Sequence, residues 1–130
     1  MKVRIDNDFL LDYGNGEQSK IPYVTEKDIM DYIDKTGIGP CGPVAEVLRD
    51  LGYGEIETGY FGPRGDIFES IPHYWIRTKS GAILDLTNQD ASNPKYTYWD
   101  IHQLKHNEKC DFIVWGKSDY NFWKERIKFL

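Results

Sequence analysis

The sequence predicts an α+β fold, with N-terminal helices packed on a mostly antiparallel β-sheet. Three observations predict it. Apolar residues recur at helical spacing within residues 25–51, and short apolar runs bounded by turn residues follow from residue 56 onward. The length of 130 residues, with 40% hydrophobic side chains, suits one domain spanning 1–130 with a sizeable core.

Residues 2–24 mix apolar runs with turn residues. Asn15-Gly16, after Leu10-Leu11-Asp12-Tyr13, is a hairpin signal, so this stretch reads as two strands or an extended arm. Residues 25–36 read as a helix capped by Thr25 and ended by Gly37, with Ile29, Met30 and Ile33 on its apolar face. Residues 41–51 are the clearest helix: Val44, Val47, Leu48 and Leu51 fall at i, i+3, i+4 and i+7, and Pro43 suits a first turn. Ile56 to Phe61 is a strand and 62–65 a loop. Ile71 to Arg77 and Ala82 to Thr87 are strands joined by Lys79-Ser80-Gly81, whose glycine suits the left-handed third position of a three-residue hairpin loop. Tyr96 to Lys105 reads either way, and Asp111 to Trp115 reads as a strand. A last helix is capped by Ser118, with Phe122, Trp123, Ile127 and Leu130 roughly on one face.

Sixteen Lys and Arg against 21 Asp and Glu give a net charge of −5. The one cationic cluster, Lys124, Arg126 and Lys128, is interrupted by Glu125, so nucleic acid is not an expected partner. No run approaches the roughly 20 apolar residues of a membrane span, and Met1-Lys2-Val3-Arg4-Ile5-Asp6 has no apolar signal region, so a cytoplasmic protein without a membrane segment is expected. Two cysteines, Cys41 and Cys110, make no disulfide framework and are expected to stay thiols in a reducing cytosol. Tyr60, Phe61, Tyr96, Tyr98 and Trp99 read as core and rim, or as the walls of a substrate groove.

Three residues point to one chemistry. Cys41 opens a helix, where the partial positive charge of the helix start favours a thiolate and backbone N–H groups can hold an oxyanion. Asp85, between Leu84 and Leu86, needs a partner if it is buried. A three-residue loop at 79–81 pairs Thr78 with Ala82, Trp75 with Asp85 and His73 with Thr87. His73 and Asp85 then lie diagonally on one sheet face, where the carboxylate can orient the imidazole; a two-residue loop would put them on opposite faces.

Gly39-Pro40-Cys41-Gly42 at a helix start, then His73-Tyr74-Trp75-Ile76, then Gly81-Ala82-Ile83-Leu84-Asp85-Leu86-Thr87, together resemble the transglutaminase-like group of the papain-like cysteine hydrolases. The resemblance spans about residues 39–89. It implies a papain/transglutaminase-like fold in which Cys41 is the nucleophile, His73 the base and then the acid, and Asp85 the orienting residue. It implies a thiol-dependent hydrolase or acyltransferase of protease, amidase or deamidase type, acting on an amide of a protein or peptide through a thioester, with no cofactor. Papain-type enzymes carry an oxyanion Gln shortly before the Cys; Lys35 to Pro40 contain none, which leaves the second oxyanion donor unassigned. Nothing matches the calcium segments of large transglutaminases.

Two other readings compete. His102, His106 and Cys110 recur at spacings of four and on a continuous helix could hold zinc, but the strand read from Asp111 interrupts that helix, and no metal is expected. A catalytically inactive interaction module on the same fold is the alternative function. The complete Cys, His and Asp set favours catalysis, and the missing oxyanion side chain counts against it.

Overall fold

The computed structural model describes residues 4–5, 21–88, 90–91, 93–100 and 115–129. In chain order its elements are strands β1 (Arg4–Ile5) and β2 (Pro22–Tyr23), helices α1 (Glu26–Thr36) and α2 (Cys41–Asp50), strand β3 (Glu55–Pro63), a 3-10 turn (Ile67–Glu69), strands β4 (Ile71–Arg77), β5 (Ile83–Asp85) and β6 (Tyr96–Asp100), helix α3 (Lys117–Arg126) and strand β7 (Lys128–Phe129). Helices and antiparallel sheet are mixed, the α+β class that the sequence predicts.

The two N-terminal helices form where the apolar periodicity places them. Thr25 Oγ1 accepts the Asp28 backbone N–H at 3.2 Å, closing the start of α1, and Ile29 and Tyr32 face the core. Val44, Ala45, Val47 and Leu48 bury one side of α2. The third helix departs from expectation at both ends. Gly116, not Ser118, is its N-cap, because the Asp119 carboxylate reaches back to accept the Gly116 N–H at 2.9 Å. The other oxygen of Asp119 accepts the Tyr32 hydroxyl at 2.9 Å, fastening α1 to the start of α3. Trp123 and Ile127 are buried as the pattern requires, but the helix stops at Arg126. Ile127 is extended, and β7 then pairs with β2 through Tyr23↔Lys128 and Pro22↔Phe129. The core joins Val24, Tyr32, Val47, Leu48, Ile76, Leu84, Leu86 and Trp123.

The larger sheet has the order β1-β5-β4-β3-β6, every neighbouring pair antiparallel. The β4–β5 hairpin has the predicted three-residue loop: Ile76 pairs with Leu84, Arg77 with Ile83, and the Thr78 N–H donates to the Ala82 carbonyl at 2.9 Å. Gly81 closes that loop with φ +91, a conformation that a side chain would oppose. Strand β5 is shorter than expected and stops at Asp85. The Thr87 N–H there turns back to Asp85 Oδ1 at 3.4 Å, so Thr87 does not join the ladder opposite His73. Strand β3 is longer than expected. It runs through the supposed loop to Pro63 because β6 pairs along its other edge, Gly62 with Thr97 and Pro63 with Tyr96. The segment that reads either way is strand over 96–100; residues 101–105, the Asn15-Gly16 hairpin and all of the strand read from Asp111 to Trp115 but its last residue lie outside the described residues, and Trp115 is not in a strand. Among the described residues no helix is long and apolar enough to cross a membrane.

Candidate active site

Cys41 is the first residue of α2. A helix start normally offers four backbone N–H groups without intrahelical partners. Here Pro40 at the N-cap and Pro43 two residues after the cysteine have no N–H to give, and the Val44 N–H already donates to the Pro40 carbonyl at 3.1 Å. The donors of this first turn are therefore the N–H groups of Cys41 and Gly42. Gly42 is held to glycine by packing: a Cβ there would run into the Trp115 ring, whose indole N–H donates to Glu46 of the same helix.

His73 and Asp85 meet as the hairpin register requires. Trp75 and Asp85 fall opposite one another by continuation of the β4–β5 ladder, and His73, two residues before Trp75, shares their face. His73 Nε2 lies 2.6 Å from Asp85 Oδ2, with only 7% and 3% of the two residues exposed. The Nε2–Asp85 contact leaves Nδ1 as the ring's other nitrogen, and Cys41, which lines the same cavity, helps to raise the His73 pKa. The three residues singled out in the sequence thus come together.

Two further residues complete the set. The Tyr98 hydroxyl donates to the same Asp85 oxygen at 2.7 Å, and Asn88 Nδ2 donates to the Tyr98 hydroxyl at 3.3 Å. Sequence reasoning assigns Tyr98 only to core, rim or groove, and does not single out Asn88. Tyr98 sits on β6 and Asp85 on β5, three strand spacings apart in the sheet order. At about 4.8 Å per spacing a flat sheet would separate these backbones by about 14 Å. A direct contact requires the sheet to curl, with His73 on the concave face. Phe61, paired with both Ile71 and Tyr98, belongs to the same face. The imidazole is accordingly walled by rings: Phe61 and Trp75 each at 6.0 Å between centroids, and Tyr98 at 6.2 Å.

Burial alone would push the His73 pKa down, since the interior disfavours a cation. The Asp85 carboxylate, through its charge and its hydrogen bond, outweighs that and with Cys41 raises it from 6.5 to about 10. Burial likewise opposes the Asp85 charge. The His73 cation and the hydrogen bonds from His73, Tyr98 and Thr87 prevail and hold the carboxyl below its ordinary 3.8. The resting pair at neutral pH is an imidazolium against a carboxylate.

Cys41 and His73 both line a cavity of about 600 Å³, together with Gly39, Pro40, Thr87, Asn88 and a set of apolar side chains. The volume is typical of small-ligand sites. Among the described residues no group of three or more His, Cys, Asp or Glu side chains is placed to hold a metal ion, and His102, His106 and Cys110 lie outside them. No protein-family model, curated protein or solved structure matches the chain.

Proposed function

We propose that this protein is a thiol-dependent hydrolase or acyltransferase that acts on an amide carbonyl, with Cys41 as nucleophile, His73 as proton carrier and Asp85 as the orienting carboxylate. The transglutaminase-like relation within the papain-like cysteine hydrolases, and a protein or peptide substrate met in the cytoplasm, belong to the same proposal. The observation that carries it is the buried His73–Asp85 pair at 2.6 Å, with His73 and Cys41 lining one cavity.

The steps follow from the positions. The Cys41 thiolate adds to the carbonyl carbon, forming an S–C bond while the carbonyl electron pair moves onto oxygen. The N–H groups of Cys41 and Gly42 at the helix start are the donors assigned to that oxygen; one such donor contributes roughly 3 to 4 kcal/mol in a transition state. The imidazolium gives its proton to the leaving nitrogen, the C–N bond breaks, and a thioester remains. His73 then takes a proton from water or from an amine as that group attacks the thioester, and the sulfur leaves. Water gives hydrolysis or deamidation and an amine gives transfer. Asp85 keeps the ring in place and stabilises its charge throughout, while Tyr98 holds Asp85 as a positioning residue.

The test is alkylation by iodoacetamide at about pH 6, followed by intact mass, where only an activated thiol reacts quickly. Cys41 is expected to react at least about tenfold faster in the native protein than in His73→Ala or His73→Gln, since the thiolate fraction sets the rate. Two substitutions of different size guard against a simple packing defect. Equal rates in all three proteins would remove the activated thiol, and with it the enzyme.

A further inference from the structure

The cavity beside Cys41 is apolar on both sides. Ile29, Met30 and Ile33 of α1 form one wall, and Phe61, Ile71 and Pro72 of β3 and β4 form the other. In a chain of net charge −5, no Asp, Glu, Lys or Arg among the described residues lines it. Thr87 and Asn88 are its neutral polar residues, and His73 already has a carboxylate partner. Met30 and Ile71 line the cavity while remaining 47% and 61% exposed, so the apolar surface reaches solvent at the mouth.

We infer that this groove receives the acyl portion of the substrate, and that the acyl group is uncharged and apolar. The inference rests on the reading of Cys41 as nucleophile, because that reading fixes one end of the occupant: the carbonyl sits at the sulfur, and what the carbonyl carries runs between the two walls. A carboxylate or ammonium in that position would lose its water without gaining a partner, which costs far more than an alkyl chain gains. About 600 Å³ accommodates a short aliphatic or aromatic chain, or one large apolar amino-acid side chain, and not a folded partner.

Matched iodoacetamides test this: N-methyl, N-hexyl and N-(5-carboxypentyl) reagents carry one warhead, form the same S–C bond and release the same iodide. Rates at Cys41 are read by intact mass and normalised to the rates with glutathione. The hexyl reagent is expected to react at least about tenfold faster than the methyl reagent, from partial burial of its added methylenes. It is also expected to saturate with concentration, and the carboxypentyl reagent to show no such gain. Met30→Asp, at a half-exposed position of α1, should bring the hexyl rate down toward the methyl rate. If the hexyl reagent shows no gain while the methyl reagent still distinguishes the native protein from His73→Gln, the apolar acyl site is wrong and the Cys–His pair stands. If the methyl reagent makes no such distinction, the pair itself fails and the acyl site falls with it.

Discussion

Asp85 is a carboxylate almost wholly removed from water, and its position is tolerable because three groups donate to it: His73 Nε2 at 2.6 Å, the Tyr98 hydroxyl at 2.7 Å and the Thr87 N–H at 3.4 Å. Removing one donor leaves a buried charge short of a partner. Tyr98→Phe, which keeps the ring and deletes only the hydroxyl, is expected to destabilise the protein by about 1.5 to 3 kcal/mol, the range for hydrogen bonds to charged groups, read from urea unfolding at neutral pH. A change within about 0.5 kcal/mol would mean that the hydroxyl does not support the carboxylate. The sequence shows that Asp85 needs a partner, because it stands between Leu84 and Leu86. It also identifies His73, because one three-residue turn relates the two residues. Tyr98 is not visible in the same way: it reaches Asp85 across two intervening strands, and no local pattern states that β6 pairs with β3.

At the scale of elements, α2 presents the cysteine because its start is bracketed by Pro40 and Pro43 and covered by Trp115 over Gly42. Gly42→Ala forces its Cβ against an indole tethered to Glu46 and is expected to cost about 1 to 3 kcal/mol, as overpacking does. Gly39→Ala is its control: a Cβ there meets nothing within 4 Å, and unfolding is expected to change by no more than about 0.5 kcal/mol. Similar losses in both would show that the local backbone, not the Trp115 contact, needs glycine. The helix itself is legible in the sequence because Val44, Val47 and Leu48 repeat at its period. The start of α3 is less so. Ser118 and Gly116 both suit a cap, and Asp119 decides between them through its reach to the Gly116 N–H, with its other oxygen engaged by Tyr32 from 87 positions away. The pairing that ends α3 early, Lys128 and Phe129 with β2, also joins distant parts of the chain and leaves no periodic trace.

At the scale of the whole molecule, the curled sheet sets a titration into the stability of the fold. With its pKa at about 10 in the folded chain against an ordinary 6.5, His73 keeps a proton that the unfolded chain gives up. Its contribution is complete below about pH 6.5 and is lost as pH rises toward 10. Asp85, held below 3.8, contributes above that pH and loses its contribution in acid. The urea midpoint of the native protein is therefore expected to fall between pH 6.5 and 10, and Asp85→Asn to flatten that fall, because the buried imidazolium loses the larger of its two favourable partners. Parallel slopes in the two proteins would show that other groups control the alkaline limb. The fold class follows from short-range apolar patterns and the His73–Asp85 pairing from one tight turn, whereas the meeting of Cys41 with His73 is implied only by the family resemblance. The curl does not, because strand order is a property of long-range pairing.

The turn at Lys79-Ser80-Gly81 carries one more consequence. Since side chains alternate across a strand, a single codon inserted into or deleted from those three positions would carry Asp85 to the opposite side of the ribbon while leaving every functional residue in the gene. A copy damaged in this way would still read as intact by its Cys, His and Asp, and the fault would lie in the count of residues between them.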